Sequence, residues 1–465
     1  MARAKPVTAV AAAPKYRSAD ERRALGKALR TAVPRASQAG WKPPEGRFDP
    51  VDLLVRSSEG RMPELIPIRY GRMAQSPFAF FRGNALLMAA DLAATPRSGL
   101  VAQICGDAHL SNFGGFATPE RNVIFDINDF DETLPGPWEW DIKRLAASIV
   151  IAARHLRFSE SDAARAAANA VMSYRERMAD YAGMRMLEVW YDRLDAARAL
   201  KEFRSEEHRA ALEKRIEQAA HKSAPDYLFP KLVQHVGDLP KIKDEPPLIF
   251  HAPRDYVPGE RDGYRTALQT YRGSLPEHVR ALFDRFHLQD LALKVVGVGS
   301  VGTRCAVALL MAADNDPIFL QVKEARPSVL APYAGASLHH NNGERVVAGQ
   351  RLMQAASDMF LGWTRGDDGN DYYVRQLRDL KISPVIEDLD VSSLRSHARL
   401  CAWSLARAHA RSGDAAMIAG YLGSTPVFDD AVCEFAVEYA DQNQKDYRAF
   451  LKAIREGRIS IISDA

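Results

Sequence analysis

The sequence predicts a two-lobed α+β protein, with a helix-rich lobe and a smaller lobe built on an antiparallel sheet. The chain has 465 residues, which is more than one ordinary hydrophobic core contains. From residue 137 to about residue 222 the pattern is helical and rich in Ala, Leu, Arg and Glu. Between residues 291 and 391, short β-like runs surround a glycine cluster, and helical patterns return after them.

These patterns divide the chain into four predicted parts. Residues 1–60 form a basic arm and linker, since residues 1–45 contain ten Lys or Arg and three Asp or Glu. A solvated arm is the simpler interpretation, and a binding arm is the alternative. Residues 61–290 are expected to form the helix-rich catalytic lobe. Residues 291–391 form the strand-rich lobe, and residues 392–465 are helices that complete the helical lobe.

The composition narrows the classes of function. A net charge of +3 gives no sign of a specific nucleic-acid partner. No apolar run approaches the roughly 18–20 residues of a membrane helix, so no membrane partner is expected. The four cysteines lie far apart without a CxxC pair, which argues for a reducing compartment. We therefore expect a cytoplasmic protein, and nothing in the sequence indicates its oligomeric state.

The stretch CGDAHLSN, residues 105–112, is the first candidate for chemistry. It follows the predicted strand GLVAQI, so Asp107 should lie at the end of that strand. The carboxylate of Asp107 can accept a proton from an attacking hydroxyl, and the amide oxygen of Asn112 can bind Mg²⁺. The alternative is an Asx-type turn, in which both side chains bond to the local backbone.

The stretch FDINDFDE, residues 125–132, is the second candidate. Its four carboxylates, on Asp126, Asp129, Asp131 and Glu132, repel one another unless cations neutralise them. A hard divalent metal with oxygen ligands is the natural partner, and a solvated acidic turn is the alternative. Strand alternation predicts that Asp129 and Asp131 point the same way.

The third candidate is a glycine cluster, Gly297, Gly299 and Gly302, followed by a lysine in the next predicted strand. A β-like run rather than a helix follows the glycines, which suits a flap folded over nucleotide phosphates. Lys323 lies 21 residues beyond Gly302 and could reach those phosphates. The alternative is a glycine-rich hairpin with an edge-strand lysine.

One hypothesis accounts for all three candidates, namely a metal-dependent ATP site. CGDAHLSN resembles the HGDxHxxN loop of aminoglycoside phosphotransferases and related kinase-like enzymes. That resemblance implies that Asp107 is the catalytic base and that Asn112 binds Mg²⁺. VIFDINDFDE is similar to the IDFxD-like metal motif of those enzymes, which implies Asp129 as the second metal ligand, assisted by Asp131. GPWEWDIKRLA resembles a later helix start, where Asp141 would brace the catalytic loop.

The order of the motifs departs from that family. In kinase-like enzymes the glycine loop and its lysine precede the catalytic loop, whereas here they follow it by about 190 residues. The implied fold is therefore a circularly permuted, protein-kinase-like fold with the nucleotide-clamping lobe second in the chain. Cys105 also stands where the family has histidine.

Most of the chain resembles a bacterial family catalogued as domain of unknown function 2252. The matching stretches are PELIPIRYGRMAQSPFAFFRG, CGDAHLSNFG, FDINDFDETLPGPWEWDIKRLA and VVGVGSVGTRC. This resemblance implies no reaction.

A few other residues have two interpretations. Glu344 opens a predicted helix and could pair with Lys323, or it could stabilise the N-terminus of its own helix. Arg69, Arg72 and Arg82 lie among aromatic residues and could receive a phosphate or an acidic substrate, or serve in structural ion pairs.

The function favoured by these patterns is an ATP- and Mg²⁺-dependent kinase-like transferase. It would move a phosphoryl or a nucleotidyl group to a hydroxyl of an acceptor that the sequence does not identify. One alternative is a metal-dependent phosphoesterase that uses the GDAH loop and the acidic cluster. Another is a nucleotide-binding regulator without catalysis.

Overall fold

Helices and small antiparallel sheets share the chain, so the fold is mixed α+β as predicted. The computed structural model describes residues 16–203, 205–220, 224–237, 239–251, 262–314, 316–377 and 382–462. None of the helices within these ranges is both long and apolar enough to cross a lipid bilayer.

Eighteen helices are described in these ranges. They are α1 (Ala19–Ala28), α2 (Pro50–Arg56), α3 (Ile66–Met73), α4 (Pro77–Arg82), α5 (Ala85–Ala93), α6 (Trp138–His155), α7 (Glu160–Gly183), α8 (Met186–Tyr191), α9 (Ala196–Glu202), α10 (Glu206–Ala220), α11 (Ala224–Leu232), α12 (Asp262–Ser274), α13 (Glu277–Phe283), α14 (Ala331–Ala334), α15 (Asn342–Met353), α16 (Val391–Ser412), α17 (Ala415–Leu422) and α18 (Val427–Arg455).

The described strands number twelve. They are β1 (Val101–Ile104), β2 (Phe113–Ala117), β3 (Val123–Ile127), β4 (Leu134–Pro137), β5 (Val233–Val236), β6 (Leu239–Ile242), β7 (Ile249–Phe250), β8 (His287–Lys294), β9 (Cys305–Met311), β10 (Pro317–Ala325), β11 (Gly362–Arg365) and β12 (Asp371–Gln376). Three antiparallel pairs, β1–β4, β2–β3 and β5–β6, stand apart from one six-stranded sheet.

Four long helices, α6, α7, α16 and α18, form the core of the helical lobe. Helix α6 is buried along almost its whole length, since apolar and small residues occupy most of its positions. Its first residue, Trp138, stacks on Tyr174 of α7 with the ring centroids 5.6 Å apart, and it also contacts Phe428 of α18. Helix α16 packs along α7, so the C-terminal helices complete the lobe built by the earlier ones.

The described part of the predicted basic arm packs on the helical lobe. Helix α1 lies against α17, and the guanidinium of Arg47 forms two-pronged ion pairs with Asp91 and Asp446. In this part of the chain, carboxylates distant in sequence pair with Arg22 and Arg47. Residues 1–15 lie outside the described residues.

The sheet lobe is a six-stranded antiparallel sheet with the order β11-β12-β10-β9-β8-β7. Strands β8, β9 and β10 follow one another as a meander, and β10 lies between β9 and β12. The predicted boundary at residue 291 falls inside β8, which begins at His287. The two-residue strand β7 adds an edge at residues 249–250, and it is too short for its pattern to be recognised in the sequence.

Candidate active site

The loop that follows β1 is braced by the first turn of α6. The carboxylate of Asp141 accepts hydrogen bonds from the backbone N–H groups of Cys105, at 2.8 Å, and Gly106, at 2.9 Å. The buried ring of His409 lies 3.3 Å from the same carboxylate. These backbone hydrogen bonds are the contacts that the resemblance to kinase-like enzymes implies for Asp141.

A glycine is required at position 106 for two reasons. Its φ angle is +79°, a left-handed conformation that residues with a Cβ rarely adopt. A Cβ there would also lie 2.8 Å from the carbonyl oxygen of Glu132 and 2.7 Å from a methyl of Leu330. The loop after β1 therefore lies directly against the acidic loop.

Asp107 lines a cavity of about 330 Å³, and its strongest partner is Arg144. The Nε of Arg144 donates to its Oδ1 at 2.6 Å, and the Nε2 of His109 is 3.7 Å from its Oδ2. Burial raises the pKa of Asp107, while the positive charge of Arg144 opposes that rise. Asp107 is thus a carboxylate held in place by a cation, with its side chain 19% exposed.

The side chain of Asn112 bonds to the local backbone, whereas that of Asp107 does not. The Nδ2 of Asn112 donates to the backbone oxygen of Asp107 at 2.9 Å, which leaves its amide oxygen as the ligand atom. The side chain of Asp107 bonds instead to Arg144, on α6. The turn therefore presents two oxygen functions to the cavity.

The β2–β3 hairpin brings the acidic loop beside Asn112. Phe113 pairs with Ile127, so the residues just outside the hairpin, Asn112 and Asn128, meet through a 2.8 Å backbone hydrogen bond. Asp129 follows immediately and also lines the cavity. A two-strand register therefore sets the separation of the two predicted metal ligands.

The four acids of this stretch have different roles. Asp126 is fully buried in an ion pair with Arg407, away from the cavity. The side chain of Glu132 accepts a hydrogen bond from the backbone N–H of Val329 at 2.7 Å. Since these acids are bonded to protein groups, the solvated acidic turn considered above is not what forms.

Asp129 and Asp131 point to the same region but carry opposite pKa shifts. Burial, followed by repulsion from Asp131, raises the pKa of Asp129. Burial also acts on Asp131, but Lys323, Tyr373 and Arg375 outweigh it and hold the pKa of Asp131 below its usual value. A cation that bound Asp129 would relieve the repulsion between the two carboxylates.

The glycine cluster forms the loop between β8 and β9, and no helix follows it, as predicted. Gly297 and Gly302 have φ angles of +64° and +85°. Arg61 holds the loop by donating to the carbonyl oxygens of Gly299, at 2.8 Å, and Val301, at 2.6 Å. The loop is therefore a fixed flap over one side of the cavity.

Lys323 lies on an inner strand of the sheet, so the edge-strand interpretation is wrong. Its Nζ forms a buried ion pair with Asp131, and its side chain is 3% exposed. Tyr373, opposite Lys323 on β12, donates its hydroxyl to the other oxygen of Asp131 at 2.8 Å. Burial favours the neutral amine, but Asp131 and Tyr373 raise the pKa of Lys323 well above its usual value.

Glu344 lies apart from these groups. Its backbone N–H is capped by Asn341, and its carboxylate is 3.5 Å from the ring of His339. Because Lys323 pairs with Asp131, the suggested pair between Lys323 and Glu344 does not form in the structure. The position of Glu344 in the first turn of α15 fits the helix-terminus interpretation.

One cavity of about 330 Å³ brings most of the predicted residues together. Its lining includes Asp107, Asn112, Asp129, Asp131, Gly297 and Gly299, and also Glu132, Arg69 and Arg82. Lys323 contacts this set through its ion pair with Asp131. Gly302 lies next to Arg61, whose Cβ would be 3.1 Å from a Cβ at position 302. Glu344 is not part of the lining.

Sequence reasoning missed two residues that fix the carboxylates. Arg144 holds Asp107, and Tyr373 holds Asp131. Arg144 could have been found, because it lies three residues after Asp141 and so shares a helix face with it. Tyr373 gave no signal, since its role depends on the pairing of β12 with β10.

The oxygen donors in the cavity suit Mg²⁺ better than a transition metal. Asn112 and Asp129 offer one amide oxygen and one carboxylate, and Mg²⁺ commonly takes one or two protein ligands together with phosphate and water. Among the described residues, no three His, Cys, Asp or Glu side chains form a metal-binding group. Asp131 is already engaged by Lys323, so it would assist only after that ion pair rearranged.

Comparison with known proteins places the chain in a family. A family model with the description "Uncharacterized protein conserved in bacteria (DUF2252)" matches residues 61–453. This range includes every residue that lines the cavity except Arg56 and Ser57. No curated protein and no solved structure matches the chain. The chain belongs to the bacterial DUF2252 family.

Proposed function

We propose that this chain is an ATP- and Mg²⁺-dependent, kinase-like transferase that moves a phosphoryl or nucleotidyl group to a hydroxyl acceptor. One observation carries the proposal. Asp107 and Asn112, from the loop after β1, line the same cavity as Gly297 and Gly299, from a flap about 190 residues later. A base, a metal-binding pair and a phosphate flap are the parts that phosphoryl transfer requires.

Each part has a role in this proposal. The backbone of the flap would cover the phosphates, and Lys323 would hold them through its charge after its ion pair with Asp131 rearranged. Asn112 and Asp129 would hold Mg²⁺, which when bound neutralises phosphate charge. Asp107 would orient the acceptor hydroxyl and take its proton, since Arg144 keeps its carboxylate in place. Most of the rate enhancement would come from positioning and charge neutralisation.

The kinase-like fold is proposed in permuted order. The β8–β9–β10 meander, with a glycine loop and a lysine on the third strand, would be the nucleotide-clamping lobe. The helical lobe would supply the catalytic and metal loops, with α16–α18 completing it. The four cysteines are free thiols, which agrees with work in the reducing, ATP-containing cytoplasm.

The other two functions have less support. A phosphoesterase with two metals would use several histidines, and His109 is the one in the lining of this cavity. The phosphoesterase hypothesis also gives no role to the glycine flap and Lys323. A binding protein without catalysis has no need for a carboxylate held as Asp107 is.

A thermal-shift titration tests the proposal. ATP with Mg²⁺ should raise the melting temperature, because a ligand at 100 times its Kd adds about 2.7 kcal/mol to the stability of the folded state. Asp129→Asn should remove the Mg²⁺-dependent part of the shift, and Lys323→Ala should reduce the shift with ATP. Lys452→Ala, at an exposed position on α18, is the control and should leave both unchanged.

The opposite pattern would favour the phosphoesterase. In that case ATP would give no shift, and Mn²⁺ alone would stabilise the protein. Asp129→Asn would abolish the Mn²⁺ effect, and Lys323→Ala would leave it intact.

A further inference from the structure

Arg82, the last residue of α4, is a cavity-lining cation without a protein partner. It makes no hydrogen bond or ion pair with any described residue. Its guanidinium lies 5.9 Å from the centroid of the Phe78 ring, and its Nε is buried with no acceptor. Burying part of a guanidinium without an acceptor costs folding free energy, unless a bound anion neutralises its charge.

Three arginines near Arg82 have acceptors in the protein. Arg61 bonds to the carbonyls of the flap, and Arg69 donates to the hydroxyl of Ser58 at 2.7 Å. Arg144 pairs with Asp107. Arg56 also lines the cavity and has no acceptor among the described residues, but it is exposed to solvent, whereas Arg82 is partly buried.

Arg82 lies between the flap and the base. Its backbone oxygen is 3.4 Å from the position that a Cβ on Gly299 would occupy. Burial lowers the pKa of Arg82, while the charges of Asp107 and Glu387 oppose the shift. Neither carboxylate lies within 4.0 Å of the guanidinium. Arg82, Gly299 and Asp107 thus line the same cavity, with the backbone of Arg82 beside the flap.

We propose that Arg82 is an anion-binding residue of this cavity, which takes a phosphate-type oxyanion between the glycine flap and Asp107. The planar fork of a guanidinium matches two oxygens of such a group. The source is either the terminal phosphate of the nucleotide or an acidic group on the acceptor. The contact with Gly299 favours the terminal phosphate, and that assignment of the source rests on the function proposed above.

The test is a calorimetric comparison of ligands and variants. MgATP, MgADP and inorganic phosphate are titrated into wild type, Arg82→Gln, Arg82→Lys and Arg455→Gln. Arg455, the last residue of α18, is exposed and lies outside the cavity lining, so it controls for a general loss of positive charge. Arg82→Gln removes an unpaired buried charge, so it should fold, and circular dichroism and melting of each variant verify this.

The proposal predicts a ligand-specific loss. Arg82→Gln should weaken MgATP by about 10- to 100-fold, the range expected for hydrogen bonds to a charged group, and change MgADP by less than about twofold. Arg82→Lys should recover part of the loss, and Arg455→Gln should bind like wild type. If phosphate binding is lost while both nucleotides bind normally, the anion site stands and belongs to the acceptor.

Failure of the site and failure of the function give different results. Wild type that binds no nucleotide, but binds phosphate in an Arg82-dependent manner, would overturn the proposed function and support this site. A folded Arg82→Gln that binds MgATP, MgADP and phosphate with wild-type affinity would overturn the site.

Discussion

Lys323 of the sheet lobe and Asp131 of the helical lobe form an ion pair between positions 192 residues apart. The lysine is almost completely buried, and Tyr373 donates to the second oxygen of the aspartate. This pair ties the strand after the flap to the acidic loop. It is therefore a direct physical link between the two halves of the candidate site.

Removing either partner of that pair should destabilise the protein. Lys323→Met leaves Asp131 beside Asp129 without its cation, and Asp131→Asn leaves a buried ammonium unpaired. We expect each to cost about 3 kcal/mol, the low end for broken buried pairs, since Asp131 is partly exposed. The double variant should cost clearly less than the sum in a thermal-unfolding double-mutant cycle. Additive losses would show that the two charges are not coupled.

Gly106→Ala should disrupt the catalytic loop more than a left-handed glycine alone explains. The new Cβ would clash with Glu132 and Leu330. Gly99, with φ +84° and nothing within 4 Å, is the matched control for backbone strain. Gly99→Ala should cost about 1–2 kcal/mol and Gly106→Ala distinctly more, measured by the shift in Tm. Equal losses would contradict the close approach of the two loops.

Asp141→Ala should loosen the loop that carries Asp107. The variant removes the acceptor for the N–H groups of Cys105 and Gly106, and hydrogen bonds to a charged group contribute about 1.5–3 kcal/mol each. Amide hydrogen exchange across residues 105–112 should become faster. Exchange in that segment at the wild-type rate would rule out the bracing role.

The burial of Lys143 predicts that the free energy of unfolding rises with pH in the alkaline range. Its side chain is fully buried on α6, its Nζ has no hydrogen-bond partner, and burial lowers its pKa from the usual 10.5 to about 8. Between these two values the unfolded chain binds more protons than the folded chain, so this group makes stability rise with pH. Lys143→Met should stabilise the protein at pH 7 by about 1–3 kcal/mol and flatten the rise above pH 8.

The measurement for Lys143 is Tm against pH, from 6 to 10, for wild type and variant. The two curves should converge at the alkaline end, where the lysine of the folded protein is already neutral. Curves that stay parallel across this range would show that Lys143 does not titrate in it.

Local sequence patterns predicted several elements of this structure, because strands and turns depend strongly on residues close together in the chain. The β-like run DPIFLQVKEA predicted β10 with Lys323 in it, and the glycine cluster between two β-like runs predicted the flap. The brace of Asp141 on the loop after β1 was implied by the resemblance of GPWEWDIKRLA to a helix start in kinase-like enzymes.

The remaining features depend on contacts between distant segments. Asp126 looked like a member of the acidic site, but Arg407, 281 residues away, pairs with it in the core. The basic N-terminal segment looked solvated, but Arg47 is neutralised by Asp91 and Asp446. Charge composition does not identify such partners, since only the packing of α5, α16 and α18 brings them near.

Hydrogen exchange with and without MgATP tests the central claim most directly, namely that two distant segments form one nucleotide site. MgATP should slow exchange in both the catalytic loop, residues 105–112, and the glycine flap, residues 295–304. Helix α7, which lies outside the cavity, should exchange at the same rate in both conditions. Protection of only one of the two segments, or of neither, would contradict the account.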